Sequence, residues 1–517
     1  MRTLLSGRKM KATDAKTIQE IGIPSMVLME RAAMAVAAEA EKAAKKDEIV
    51  WAVCGSGNNG ADGIAAARML HLKGYPVCIY MAGDENRGTV ELKTQLSIAR
   101  KLGISVKPWQ EIETEKKGKH CCVIIDAVFG VGLGRPVEGN YKRCLDDLNQ
   151  IREQEHTFCV AVDIPSGIHA DTGAVMGTAL KADVTVTFGW EKMGTALYPG
   201  RSYAGKVLVK DIGFPEMALE GEEEEGGRPE RAFAYEKKDL CHIPERKADS
   251  NKGTFGKVLI AAGSAGMCGA AYLSALTAYR AGAGLVKILT VEENRPILQG
   301  LLPEAIIASY TPDQLLQGRE EFKEMIEEQM KWASVVVLGP GLGSEPYVEY
   351  LVEDILTSAY VPVILDADGL NTIASHPYLT SYYTENIIIT PHLGEMARLT
   401  GQTISQLKED LVGAASAYAS RYGVTCVLKD AATVVAGQEG GLYINTSGCS
   451  AMAKASASII FPESFGPLKI YAWLTLSRAI AFFKCPMICS CPMMSENPAI
   501  AIPSLYLSRS KYQAKVL

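Results

Sequence analysis

The sequence has little of several features that would place it in a specialised class. Cysteine supplies 13 of 517 residues. That number is odd and too small for a disulfide scaffold, so we expect a reducing compartment, the cytoplasm. The net charge is −6 with no basic stripe, which argues against nucleic acid or an anionic membrane as partner. No apolar run reaches the roughly 18 residues of a membrane span, and the N-terminal segment lacks the apolar core of a signal peptide.

What remains is an ordinary globular composition, 48% hydrophobic and 22% charged, in a chain of 517 residues. A chain of this length exceeds what one hydrophobic core usually fills, so two or more domains are expected. Between residues 49 and 214, short β-rich runs alternate with amphipathic stretches, and a second such series runs from 252 to 437. Apolar strands separated by helices are typical of a parallel sheet covered on both faces. We therefore predict two tandem α/β domains.

Two further segments have distinct compositions. Residues 11–45 are rich in alanine and predict helix, with a break at residues 21–25 where Pro24 favours a new helix start. Residues 220–230 combine acidic residues with glycine and proline and offer almost nothing to bury. We interpret them as part of an exposed linker, placed at 219–234.

Residues of the first domain that suit a binding site follow three of its predicted strands. A glycine-rich turn at residues 55–63 precedes a helix, as in loops that hold phosphate on free backbone N–H groups. Asp126 ends another strand, and Asp163 and Ser166 follow the next. Such strand ends meet at one edge of a parallel sheet, where oxygen ligands can bind a hard cation. The alternatives are a simple tight turn for the glycines and helix capping for each Asp or Ser.

These motifs, taken in order, resemble the NAD(P)H-hydrate epimerase family over roughly residues 10–215. The resemblance is carried by IPSMVLMERA (23–32), NNGADG (58–63), DAVFGVGLGRP (126–136) and VDIPSGIHADTG (162–173), with Ala61 where the family commonly has glycine. It implies that potassium is held by Asn59, Asp126 and Ser166. It also implies that the hydrated dinucleotide is bound by Asn58, Asn59, Gly60, Ala61, Asp62, Gly130, Val131, Gly132, Leu133, Gly134, Arg135, Pro136 and Asp163.

The epimerase reaction inverts the hydroxyl-bearing carbon of the hydrated nicotinamide ring. A plausible route is acid-assisted loss of the hydroxyl to give a flat cation, which adds water again on the other face. A carboxylate near the ring can move protons and stabilise that cation. Our hypothesis for this catalytic carboxylate is Asp163.

The second series resembles the ADP-dependent NAD(P)H-hydrate dehydratases, relatives of ribokinase-like sugar kinases. The matching segments are residues 252–286, GPGLG (339–343), ILDADGLN (364–371), TPHLGE (390–395) and LKDAATVV (428–435). The resemblance implies dinucleotide contacts from Ala270, Gly341 and His392, and ADP or ATP with magnesium bound by Lys429, Asp430, Ala431, Ala432 and Thr433. Without it, His392 is equally a helix cap, and residues 339–343 a simple turn.

The last segment departs from that family. Where relatives place a glycine-rich turn ending in Gly-Asp, with the Asp as catalytic base, the chain reads Ala455-Ser456-Ala457-Ser458. The next acid is Glu463, behind a proline. Loss of the base should remove most of the dehydration rate. We interpret residues 455–517 as an aberrant tail, consistent with a shifted reading frame near 454. A metal site at Cys485, Cys489 and Cys491 is disfavoured because paired spacing is missing.

The resulting prediction is a repair enzyme for hydrated NADH and NADPH, made of a Rossmann-like three-layer epimerase domain at 1–218 and a ribokinase-like dehydratase domain at 235–454. The dehydratase activity is expected to be impaired. We also expect a homo-oligomer. Two alternatives stay open: a small-molecule kinase in the second half, which would need the same missing acid, and a non-catalytic nucleotide-binding or interaction protein.

Overall fold

The computed structural model describes residues 1–112, 120–220, 228–236, 239 and 248–447. The predicted tail at 455–517 and its three cysteines lie outside the described residues. In the part that is described, two mainly parallel sheets alternate with helices, which confirms the predicted tandem α/β architecture. No helix of these residues is long and apolar enough to cross a bilayer.

The first half is a seven-stranded sheet with helices on both faces. Its strands and helices are β1 Arg2–Leu5, α1 Gly7–Gln19, α2 Ser25–Glu41, β2 Ile49–Cys54, α3 Asn58–Leu72, β3 Val77–Met81, α4 Val90–Lys101, β4 Ser105–Pro108, β5 Cys121–Ala127, α5 Gly139–Glu155, β6 Phe158–Val162, β7 Val184–Phe188, β8 Glu191–Lys192, α6 Met193–Ala196, α7 Gly200–Ala204, β9 Lys206–Lys210 and β10 Arg231–Ala234. The sheet order is β4-β3-β2-β5-β6-β7-β9, and each pairing is parallel.

Burial explains this arrangement. All seven residues of β5 are buried, as expected of a central strand covered on both faces. One core packs α2, α3 and α4 against the sheet, and a second packs α5 against the opposite face. The three layers agree with the predicted Rossmann-like form. The predicted helix break is also confirmed, since α1 ends at Gln19 and α2 begins directly after Pro24.

The second half follows the same plan. Its elements are β11 Lys257–Ala261, α8 Cys268–Arg280, β12 Leu285–Val291, α9 Arg295–Leu301, β13 Ile306–Tyr310, α10 Pro312–Gln317, α11 Arg319–Trp332, β14 Val335–Leu338, α12 Tyr347–Ser358, β15 Val363–Leu365, α13 Asp368–Ser375, β16 Ile387–Ile389, α14 Leu393–Thr400, α15 Ile404–Glu409, α16 Leu411–Tyr422, β17 Thr425–Leu428, β18 Thr433–Ala436 and β19 Leu442–Asn445. Strands β11 to β17 pair in parallel, and the β17–β18–β19 ladder is antiparallel.

One sheet connects the two halves. Beyond β19 it continues through β10, β1 and β8. The strand β1 pairs antiparallel with β10 and parallel with β8, while β10 pairs parallel with β19 at Phe233 and Tyr443. Ala232 and Ala234 are fully buried there. The exposed-linker interpretation is therefore wrong for Arg231–Ala234. Pairing with β1 and β19, which are distant in sequence, buries this short segment. Its composition alone did not indicate that burial.

Candidate functional site

The first candidate site is a cleft of about 510 Å³ at the carboxyl ends of the strands in the first half. Its walls come from α1, α2, the turn before α3 and the loop after β5. The predicted residues that line it are Asn58, Asn59, Asp62, Gly130, Val131, Gly132, Leu133, Gly134, Arg135 and Asp163. Gly60, Ala61 and Pro136 are not among the lining residues, although each is next in sequence to one that is. The motifs that we predicted from the sequence therefore lie around one cleft in the fold.

Close packing requires glycine in the first turn of α3. A Cβ atom added at Gly60 would lie 2.1 Å from the carbonyl oxygen of Gly55. A contact of that length is impossible for real atoms, so a larger residue would displace the turn from the end of β2. Ala61 is fully buried in the same turn of α3 and is accommodated there. The replacement of the family's usual glycine by Ala61 thus leaves the turn intact.

Asp163 is at the floor of this cleft in an unusual backbone conformation. Its φ is 68°, a left-handed value that is rare for residues other than glycine. Asp163 Oδ1 accepts hydrogen bonds from the Thr187 hydroxyl and the Phe188 N–H, both at 3.1 Å, and from Lys192 Nζ. The Lys192 side chain is 0% exposed and that of Asp163 is 12% exposed. Backbone strain held in place by a buried ion pair is typical of a functional site.

Lys192 was not singled out from the sequence. It also donates to Thr187 Oγ1 at 2.9 Å and to the Phe188 carbonyl oxygen at 3.2 Å, so its ammonium group is fully satisfied. Lys192 belongs to β8, a strand of two residues whose position depends on pairing with β1. A lysine in so short a strand carries no sequence signal that separates it from a surface lysine.

The three predicted potassium ligands surround the loop after β5. Ser166 donates its hydroxyl to Asp126 Oδ1 and its backbone N–H to Asp126 Oδ2 at 2.8 Å. The Phe129 N–H donates to Ser166 Oγ at 2.8 Å. Burial raises the pKa of Asp126 to about 6, against the opposing effect of hydrogen bonds from Ser166 and Val128. These bonds do not cap a helix, since the helices that follow Asp126 and Ser166 begin only at Gly139 and Met193.

Asn59, the third predicted ligand, lies against the same loop. A Cβ atom added at Gly130 would lie 3.1 Å from Asn59 Oδ1, so the two residues are in contact. Asn59 Nδ2 is buried, and the described residues offer it no hydrogen-bond partner. The donor set therefore consists of one buried carboxylate and neutral oxygens from an amide and a hydroxyl. Hard oxygen donors of this kind suit an alkali or alkaline-earth cation.

The second candidate site is at the carboxyl ends of β11, β14, β15, β16 and β17. Two of its predicted residues are in contact, because a Cβ atom added at Gly341 would lie 2.7 Å from Ala270 Cβ. Gly341 has a φ of +65°, and the Gly343 N–H in the same loop donates to Asp368 at 2.9 Å. The loop 339–343 is thus a close-packed turn that requires glycine.

The remaining predicted residues of this half lie across the neighbouring strand ends. His392 and Lys429 form a parallel bridge, and Lys429 Nζ is 2.6 Å from Asp366 Oδ1. Asp430, Ala431 and Ala432 form the turn between β17 and β18, and Thr433 begins β18. Glu395 is buried, and burial raises its pKa. Asp366 and Glu395 fall inside quoted motifs but were not singled out.

His392 has the capping role that was weighed as an alternative. Its Nδ1 accepts from the N–H groups of Gly394 at 2.9 Å and Glu395 at 3.3 Å, and the Glu395 side chain accepts from the His392 N–H. This is a reciprocal capping box at the start of α14. The His392 side chain remains 54% exposed. Capping does not prevent a ligand contact, and the predicted contact stays a prediction.

Both sites lie at the carboxyl ends of parallel strands, and both combine glycine-rich turns with carboxyl groups whose pKa is raised. The first site adds a buried ion pair. These features define the class of the protein as a two-site α/β enzyme that binds nucleotides. Comparison with known proteins gives the particular family. Residues 25–194 match the model described as YjeF-related protein N-terminus, and residues 258–457 match that of NAD(P)H-hydrate dehydratase. The first range lies within the predicted first domain, and the second passes the predicted end at 454 by three residues.

One relative matches most of the chain, and two others match one half each. The bifunctional NAD(P)H-hydrate repair enzyme of Thermofilum pendens is 34% identical over 465 residues, covering 89% of this chain and 86% of that protein. The NAD(P)H-hydrate epimerase of Limosilactobacillus fermentum is 43% identical over 207 residues, 40% of this chain and 95% of that protein. A crystal structure of an ADP/ATP-dependent NAD(P)H-hydrate dehydratase from Bacillus subtilis is 34% identical, with a TM-score of 0.35 over 41% of this chain and 72% of its own. The chain belongs to the family of bifunctional NAD(P)H-hydrate repair enzymes, which combine an isomerase and a lyase.

Proposed function

We propose that the first half of this chain interconverts the R and S epimers of hydrated NADH and NADPH. The observation that carries the proposal is the strained Asp163, paired with buried Lys192 at the floor of the cleft that the glycine-rich turn and the loop 130–136 enclose. A negative charge held in this position stabilises a cationic nicotinamide ring electrostatically. The same proposal places the epimerase domain at 1–218 and the dehydratase domain at 235–454, with the strand β10 at Arg231–Ala234 added to the sheet of the second half.

We propose potassium as the cation of the cluster formed by Asn59, Asp126 and Ser166. The oxygen-rich donor set of one carboxylate, one hydroxyl and one amide carbonyl supports this assignment. When bound, the ion would supply fixed positive charge beside the loop 130–136. The chain's own residues hold that loop, since Ser166 joins the end of β5 to the Phe129 backbone. The loop in turn forms one wall of the cleft.

For the second half we propose dehydration of the S epimer with ADP or ATP and magnesium, at the Gly341 and Lys429 strand ends. The relative from B. subtilis is described as ADP/ATP-dependent and as crystallised with ATP and Mg²⁺. We further propose that this activity is impaired here, because Ala455 to Ser458 replace the family's Gly-Asp turn. That segment lies outside the described residues, so the support is the sequence alone. Occurrence in the cytoplasm as a homo-oligomer completes the proposal.

The test uses the full chain and each purified epimer. Chromatography should show wild-type protein converting the R epimer to the S epimer, and Asp163→Asn should abolish this while circular dichroism stays unchanged. Epimerisation that persists in Asp163→Asn would contradict the assigned role. A second assay adds ADP or ATP and follows the absorbance of the reduced cofactor. We expect little recovery, and a rate equal to that of an intact bifunctional relative would contradict the impairment.

A further inference from the structure

The cleft contains two more carboxyl groups whose surroundings differ from those of Asp163. Asp62 is on the first turns of α3, and Asp14 is on α1. Both line the cleft together with Asp163 and Lys192. Within the described residues, neither Asp14 nor Asp62 makes a side-chain hydrogen bond or an ion pair. Asp163, by contrast, accepts from three donors through one oxygen. The cleft thus contains one carboxylate that has hydrogen-bond donors and an ammonium partner, and two carboxyl groups that have neither among the described residues.

Such a difference in environment separates the chemical roles of carboxyl groups. A carboxylate that accepts several hydrogen bonds, one of them from an ammonium group, is stabilised as the anion. Asp163 holds its carboxylate beside the Lys192 ammonium group at the cleft and is therefore suited to stabilise positive charge. The epimerisation route needs a proton donor as well, because hydroxide is a poor leaving group from the ring carbon. That donor must be a neutral acid that faces the substrate.

Asp62 fits this requirement by position and by surroundings. Protein surrounds its side chain except on the side that opens into the cleft, and burial raises its pKa well above the usual range for aspartate. The negative charges of Asp163 and Asp14 raise it further. Burial, with Asp163 and Glu91, also raises the pKa of Asp14, although Lys192 opposes this. Of the two, Asp62 is the more deeply enclosed.

We propose that Asp62 is the general acid of the epimerase, and that Asp14 is a positioning residue whose negative charge favours the protonated form of Asp62, while Asp163 stabilises the ring cation. The Asp62 carboxyl gives its proton to the ring hydroxyl, the C–O bond breaks, and water leaves with the bonding electron pair. The flat cation faces Asp163. Water then adds through its oxygen to the other face of the ring, and its extra proton returns to the Asp62 carboxylate through solvent in the cleft. This assignment rests on the proposed epimerase function.

The test measures epimerisation against pH for wild type, Asp62→Asn, Asp62→Glu and Asp14→Asn, with exposed Asp47→Asn as the matched control. Since Asp62 must be protonated to act, wild-type kcat should fall as pH rises through its pKa. In Asp62→Asn, kcat should drop about 10²–10⁴-fold with KM nearly unchanged. The alkaline fall should also disappear, because asparagine has no proton to lose. Asp62→Glu should restore part of the rate.

Asp14→Asn supplies a readout that a purely structural role would not change. Removing one negative charge near Asp62 makes its ionisation easier, so the alkaline fall should move to lower pH while activity at acidic pH is retained. If the wild-type chain does not epimerise, the proposed function fails. If it does, and Asp62→Asn keeps the wild-type kcat and alkaline fall, or Asp14→Asn leaves that fall in place, the Asp62 assignment is overturned.

Discussion

Replacing Lys192 by methionine should destabilise the first domain, because it leaves the Asp163 carboxylate without its ammonium partner. The substitution keeps the volume of the side chain, so little of the effect comes from a cavity. It removes the ammonium group that donates to Asp163 Oδ1, Thr187 Oγ1 and the Phe188 carbonyl oxygen. Because the Asp163 side chain is only 12% exposed, little water can take the place of the lost partner. Breaking a buried ion pair at one end costs about 3–5 kcal/mol.

Differential scanning calorimetry measures the loss. For a domain of this size, 1 kcal/mol lowers Tm by about 2–4 °C, so the expected decrease is roughly 6–20 °C. Lys181→Met is the matched control, because Lys181 is exposed on the loop before β7. Epimerase activity should be lost in Lys192→Met and kept in Lys181→Met.

The double variant decides whether charge is the cause. Adding Asp163→Asn to Lys192→Met removes the uncompensated charge, so the pair of substitutions should destabilise less than Lys192→Met alone. A Tm for Lys192→Met equal to that of Lys181→Met would refute the buried-pair reasoning. So would a double variant whose loss equals the sum of the two single losses.

Two further outcomes are expected. Asp126→Asn removes the one carboxylate of the proposed cation site, so the potassium concentration for half-maximal epimerisation should rise on the order of tenfold, about 1.4 kcal/mol. Choline replaces potassium at constant ionic strength in this titration, and an unchanged requirement would argue against the site. Gly341→Ala should destabilise the second domain by about 1–3 kcal/mol because its φ is +65° and the new Cβ would meet Ala270. Thermal unfolding measures this, with Gly269→Ala, which has open space, as the control.

The sequence predicted those parts of the structure that local patterns determine. Apolar runs located the strands, and strand-end residues such as Asp126 and Asp163 lie where the parallel sheet requires. Within residues 252–437, which we predicted as a series of alternating strands and helices, the structure forms the antiparallel hairpin of β17 and β18, with the turn at Asp430 to Ala432. Short apolar runs do not reveal where a chain reverses when no strong turn residue marks the place.

The residues that were missed depend on contacts between distant parts of the chain. Lys192 is placed by β1, and Arg231–Ala234 become a strand only through β1 and β19. Asp14 was hidden in a helix recognised by its alanines, although α1 forms a wall of the cleft. Asp62 lay within a recognised motif. What separates its chemical role from that of Asp163 is that Asp163 accepts from three donors, whereas Asp62 has no side-chain partner among the described residues. Partner sets of this kind are properties of the folded chain.

The shared strand ladder also sets an order for folding during protein synthesis. The ribosome makes β1 more than 220 residues before β10, and β19 ends only at Asn445. Contacts so far apart in sequence form slowly, since the chain between them must first be closed into a loop. Until then β1 has an open edge, which nascent chains commonly protect by binding chaperones. Because β19 ends at Asn445, translation completes this ladder before it reaches residues 455–517.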